Sequence, residues 1–143
     1  MELDRMVAEL FQEEDRAREM AGKLIQLAQR SPAAACAERE GLLAFLRGPM
    51  ERHMRYEEAA IFPHFQAHGL AEEVQVALKH HAALREATEA LANVAPDGDV
   101  AARIANVARL LLHHTNFEGD YIYPELTHDE WRELIRETVR PGV

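Results

Sequence analysis

One cysteine, few basic residues and no long apolar run limit what this chain of 143 residues can be. With Cys36 alone, neither an intramolecular disulfide nor a thiolate metal cluster can form within one chain. Cys36 is expected to be a small residue at a helix start rather than a reactive thiol. Lys and Arg number 16 against 25 Asp and Glu, a formal charge of -9. That balance argues against a nucleic-acid partner, which needs clustered cations to release counterions from phosphates, and against anionic membrane surfaces. No apolar stretch approaches the ~20 residues that span a bilayer. Met1-Glu2-Leu3-Asp4-Arg5 opens straight into a charged amphipathic pattern, without the basic start and apolar stretch of a signal peptide. The expectation is a soluble, cytoplasmic protein. A Gly-rich phosphate loop, a Ser-His-Asp elbow and a cysteine-based site are all missing, which disfavours conventional kinase and hydrolase chemistry.

Also missing is any Val/Ile/Thr-rich stretch alternating with period two. Apolar residues instead recur at helical spacing, so the fold class is all-α. The length suits one domain over residues 1–143. Breakers divide it: Ser31-Pro32 is an N-cap followed by proline at the first helical position, Gly69 a helix stop, and Pro96-Asp97-Gly98-Asp99 a turn whose Asp99 can cap the next helix. Four helices are predicted near 3–30, 33–67, 70–95 and 99–123. Short connections make them an antiparallel up-down-up-down four-helix bundle. A shorter C-terminal helix at about 127–139 is expected from the capping box Thr127-x-x-Glu130, to cover one end. Gly48-Pro49 predicts a kink in the second helix or a fresh helix start.

The histidines carry the chemistry. An internal repeat aligns His53-Met-Arg-Tyr-Glu57 with His114-Thr-Asn-Phe-Glu118, each followed after three intervening residues by Ile-aromatic-Pro. Residues four apart share a helix face, so each block presents an imidazole and a carboxylate in one direction. That direction is inward. The fourth helix's apolar stripe is Ile104, Val107, Leu111, then His114, Glu118 and Tyr121; the second's is Leu46, Met50, then His53, Glu57 and Ala60. Glu14 interrupts the stripe Leu3, Val7, Leu10, Ala17, Ala21 and Leu24 of the first helix, and His81 interrupts Val74, Ala77, Leu84 and Leu91 of the third. Buried imidazoles and carboxylates cost several kcal/mol without partners, and a metal compensates them most directly. Six groups thus converge: Glu14, His53, Glu57, His81, His114 and Glu118. Three imidazoles and three carboxylates without sulfur suit iron or manganese, with zinc possible, and a carboxylate-rich bundle core is a known holder of two such ions.

Each residue has a plainer reading. The repeated pairs could be surface ion pairs, but their stripe positions favour ligation. His81 is preferred to His80, which lies about 100° round the helix, and His113 is expected to flank the bundle. Glu14 belongs to the run Glu13-Glu14-Asp15, and the plainer reading of a charge run is a solvated face. Tyr121 is expected to hydrogen-bond a ligating carboxylate or line a ligand pocket, or else to be a core tyrosine. His64 and His68 sit near a helix end, where the dipole favours them.

These residues resemble the hemerythrin HHE cation-binding family, on two His-x3-Glu blocks leading into Phe62-Pro63 and Tyr123-Pro124 with a histidine on the intervening helix. The likeness runs from Glu14 to Pro124. It implies an antiparallel four-helix bundle with an oxygen-reactive di-iron site, the ferric pair oxo- or hydroxo-bridged. By position, His53 and His114 would be terminal ligands on different irons, Glu57 and Glu118 bridging carboxylates, and His81 a terminal ligand beside His114. Two departures stand out. Glu14 replaces the family's first-helix histidine, and Ala77 stands where oxygen-carrying hemerythrins have another. Together, a carboxylate and a gap in place of two neutral imidazoles add negative charge and leave iron less saturated, which favours the ferric state over reversible oxygen carriage. The expected partner is a small diatomic molecule or peroxide, in sensing, iron handling or detoxification. The competing reading is an interaction module with one structural metal or none, its protein partner unknown.

Overall fold

In the computed structural model, the structure describes residues 2–95 and 98–122, and among these every regular element is helical. The long helix α1 (Glu2–Arg30) is followed by a second arm built in pieces: α2 (Pro32–Cys36), α3 (Arg39–Arg47), α4 (Pro49–Tyr56), a π-helical turn over Glu57–Ile61, and α5 (Phe62–Ala67). Then come α6 (Ala71–Asn93) and α7 (Val100–Phe117), the latter running into a second π-turn, Glu118–Ile122. α1 packs on α7, α7 on α6, α6 on α3 and α5, and α1 on α4, which closes a helical bundle. The predicted C-terminal helix at about 127–139 lies outside the described residues.

The breakers act largely as their chemistry dictates. Ser31 Oγ accepts from the Ala34 amide at 3.3 Å, with Pro32 at the first helical position. Gly69, at φ 97°, takes the left-handed conformation that ends α5, and the Leu70 amide reaches back to the Phe65 carbonyl at 3.0 Å. Gly48-Pro49 gives a restart: Gly48 closes α3 and Pro49 opens α4. Asp99 occupies the N-cap of α7 without a side-chain cap bond. Arg39 caps α6 from another arm, its Nη2 donating to the Leu91 and Val94 carbonyls at 2.8 and 2.7 Å. Cys36 is exposed at the last position of α2, not at a helix start.

The expected continuous second helix, 33–67, is corrected by these interruptions and above all by the π-turn. At Pro63 the chain has no amide hydrogen for the usual bond four residues back, and its ring crowds that carbonyl. The turn before it widens, and the Phe62 amide bonds to the Glu57 carbonyl, five residues back. Glu118–Ile122 widens at the equivalent place in the repeat, ahead of Pro124.

Two apolar clusters fill the interior. The larger contains Ala17, Leu46, Met50, Leu84, Ile104 and Leu111; the smaller joins Ile61, Phe62, Phe65, Val74, Ala77 and Ile122. Met50 and Leu84 flank His53 and His81 one helical turn away on one side, whereas Ile61 and Ala77 flank Glu57 and His81 on the other. A polar layer lies between the two clusters.

Candidate metal centre

All six residues predicted to converge do so, and none is more than 5% exposed. α1 contributes Glu14, α4 His53, the first π-turn Glu57, α6 His81, α7 His114 and the second π-turn Glu118. Ligand atoms of Glu14, His53, Glu57 and Glu118 lie within 4.8 Å of one another, as do those of Glu57, His81, His114 and Glu118. The two quartets share the two carboxylates of the repeat.

In the first quartet, His53 Nε2 is 2.9 Å from Glu14 Oε1 and 3.4 Å from Glu57 Oε2. Burial works against a charged His53 ring. The charge of Glu57, aided by the nearby carboxylates of Glu13 and Glu14, overcomes it and pushes its pKa up to about 12. In the second quartet, His114 Nε2 is 2.8 Å from Glu118 Oε1 and 3.0 Å from His81 Nε2. Burial, against the pull of Glu57 and with the push of His81 and His80, takes His114 down to about 3. The carboxylates divide likewise. Burial acts to raise Glu57, but the positive His53 beside it holds Glu57 well below the usual carboxylate range. Burial and the negative Glu57 and Glu14 hold Glu118 well above that range. Glu14 is raised too, by burial above all and against its bond to His53.

The donor set fits metal binding on this structure's own terms. Three carboxylates in one water-poor layer repel one another, and burial with that repulsion raises both Glu118 and Glu14. Glu14 Oε2 is buried without a hydrogen-bond partner, and His53 Nδ1 has only a long approach of 3.8 Å to Glu13 Oε1. Two imidazole nitrogens facing each other at 3.0 Å present the arrangement that a shared cation resolves. Nitrogen and carboxylate donors without sulfur suit iron, manganese or zinc.

Several residues fall elsewhere than the helical stripe suggested. Tyr121 is 58% exposed, its ring against Phe117 at 5.1 Å, so it neither bonds a site carboxylate nor lines a buried pocket. The cause is the π-turn, which inserts an extra residue into the turn and rotates Tyr121 outward and Ile122 inward. Ala60 gives way to the fully buried Ile61 for the same reason. His113 is exposed as expected, and His80 is partly buried. His68 Nδ1 donates to the His64 carbonyl at 2.7 Å near the end of α5, a helix-end role.

Sequence reasoning missed the groups behind the candidate ligands. Glu58 Oε2 accepts from His81 Nδ1 at 2.8 Å, and Arg85 binds both Glu58 and Glu51. His80 Nδ1 lies 3.3 Å from His114 Nδ1. The repeat could not reveal Glu58, because the equivalent position is Gly119. A usable signal was the seven-residue spacing of Glu51 and Glu58, two turns on one face, opposite an arginine one turn after His81.

Among the described residues no helix is long and apolar enough to cross a membrane. The family model described as the hemerythrin HHE cation binding domain matches residues 5–126. Comparison with curated proteins and with solved structures gave no match.

Proposed function

Because the chain belongs to the hemerythrin HHE cation-binding family, we propose that it is a non-haem di-iron protein that binds or reacts with dioxygen, peroxide or nitric oxide. Its role is sensing, iron handling or detoxification rather than simple oxygen carriage. The observation that carries this reading is the pair of buried quartets sharing Glu57 and Glu118. Two carboxylates common to both groups suit two ions side by side, bridged by Glu57 and Glu118, with four arms alternating up and down around them.

Glu14 and His53 would hold one ion, His81 and His114 the other. Iron there supplies one-electron chemistry toward small oxygen and nitrogen species. Four protein donors per ion are fewer than the roughly six that an octahedral ion takes, which leaves room for a small molecule. The chain's own residues set the conditions for it. Phe62, 5.3 Å from the His81 ring, joins Ile61, Val74, Ala77 and Ile122 in an apolar wall against the layer, which keeps bulk water from it. Glu14 presents an anionic oxygen where the family's pattern has a neutral imidazole, and Ala77 presents no donor. Both lower the tendency of iron to stay reduced, and so disfavour reversible carriage.

Aerobic reconstitution followed by metal analysis and absorption spectroscopy tests the reading. Close to two irons per chain with near-ultraviolet charge-transfer bands are expected, as is a spectral change when the reduced protein meets dioxygen, peroxide or nitric oxide. A chain that takes up no iron, cobalt or manganese and keeps its full thermal stability under chelator would instead be an interaction module. Selective uptake of zinc would make the site structural.

A further inference from the structure

His81 is fully buried, yet only one of its nitrogens faces the layer. Nε2 lies 3.2 Å from Glu57 Oε1 and 3.0 Å from His114 Nε2, whereas Nδ1 points outward to Glu58 Oε2 at 2.8 Å. A carboxylate only accepts, so the proton in that contact sits on Nδ1. In the neutral ring, Nε2 then carries its lone pair toward the layer, as a metal ligand requires. Glu58 is fixed in turn. Arg85 Nη1 and Nη2 donate to its two oxygens at 2.7 and 3.2 Å, and Arg85 Nε and Nη2 donate to the two oxygens of Glu51, both at 3.0 Å. Arg85 follows His81 by one turn of α6, so the clamp closes over the ring from the ring's own helix onto the neighbouring arm. The guanidinium also neutralises Glu58, which can serve as acceptor without adding net charge to a layer already rich in carboxylates.

We propose that Glu58 and Arg85 are positioning residues that select the ligating tautomer and orientation of His81, so that the imidazole half of the centre is preset by a tether the other half lacks. This rests on the metal reading above. The tether is one-sided because Glu58 belongs to the first block of the repeat, and its counterpart in the second is Gly119. A plain interhelical ion-pair network is the alternative, and it would matter to stability alone.

Full-length protein labelled with nitrogen-15 on histidine, first metal-free at a pH where the ring is neutral and then titrated with cobalt(II) against a competing chelator, separates the two. The wild-type His81 ring is expected as the Nδ1–H tautomer. Glu58→Leu should lose that preference and weaken one of two cobalt ions by about 10–100-fold while sparing the other. Glu58→Gln, which keeps an acceptor oxygen, should fall between, and it decides the matter if Glu58→Leu does not fold. Glu51→Gln, which leaves Glu58 on His81, should move the melting temperature with little change in affinity. An Nε2–H tautomer in wild type, or Glu58 variants with lowered melting temperature but unchanged tautomer and cobalt affinity, would overturn the proposal. Failure of the wild-type chain to bind cobalt would overturn the metal reading instead, and the metal-free tautomer would then decide the tether by itself.

Discussion

His53 and His114 open the two copies of one sequence block, yet they sit in opposite electrostatic surroundings. His53 has Glu13, Glu14 and Glu57 around it and, against its burial, is pushed up to about 12; burial above all, with His81 and His80 adding to it against the pull of Glu57, takes His114 down to about 3. The repeat is symmetric, and the helices packed beside it are not. α1 brings a carboxylate to the first quartet, and α6 an imidazole to the second. A duplicated motif thus yields a carboxylate-rich half and an imidazole-rich half, so chemistry at the centre depends as much on the unrepeated helices as on the repeat.

The largest effects should come from what the halves share. Glu57→Ala and Glu118→Ala are each expected to bring metal content near zero, whereas His53→Ala should keep about one ion per chain, because a shared carboxylate touches both ions and a terminal imidazole one. Plasma emission analysis of purified variants checks this. The reverse ranking would mean that neither carboxylate is shared.

Next come changes that make the halves more alike. Glu14→His replaces an anionic oxygen with a neutral nitrogen, so the reduction potential should rise and the oxygenated state after reduction should live longer. Glu14→Gln should move the potential in the same direction, and Glu13→Gln should barely move it. Equal, negligible shifts in all three would remove Glu14 from the centre.

Much of the centre was legible because burying a histidine or glutamate at a core position demands a reason, and the stripes on all four arms pointed to one layer. Glu14, His53, Glu57, His81, His114 and Glu118 are assigned to that layer by this reasoning, and all six are buried. What escaped was the geometry between repeats of the stripe. Periodicity assumes a uniform turn, and the π-turns at Glu57 and Glu118 break it, so Tyr121 was placed inside when it lies outside. The prolines six residues after each glutamate carried the needed information, in their missing amide hydrogens. Glu58 and Arg85 escaped for a different reason. Their roles arise from contacts between arms, and the spacings Glu51–Glu58 and His81–Arg85 signal them only when the two helices are read against each other.

The charge on His53 predicts a pH effect specific to the carboxylate half. Its pKa is raised from 6.5 to about 12, so it stabilises the metal-free fold fully below pH 6.5, and that contribution is lost as pH rises toward about 12. The melting temperature of the metal-free chain should therefore fall as pH increases above 6.5. Bound metal displaces the proton on the ring, so the loaded protein should lack this dependence, and loading should release protons into a weakly buffered solution. Parallel pH series on the two forms check it; coincident slopes would mean that His53 is not a ligand.

The smallest effects should appear outside the layer. His113→Ala and Tyr121→Phe should leave metal content normal, since both side chains are exposed. His80→Ala should weaken affinity modestly without emptying the site, because His80 reaches only the outer nitrogen of His114. An empty site in His80→Ala would put the ligating face of α6 one residue away from His81.

The central claim is that two unequal quartets share Glu57 and Glu118 around a pair of ions. Anomalous diffraction at the iron edge, from crystals of the reconstituted protein, tests it most directly. Two peaks are predicted, both adjoining Glu57 and Glu118, one also beside Glu14 and His53 and the other beside His81 and His114. A single peak, or a pair of peaks with no carboxylate in common, would contradict it.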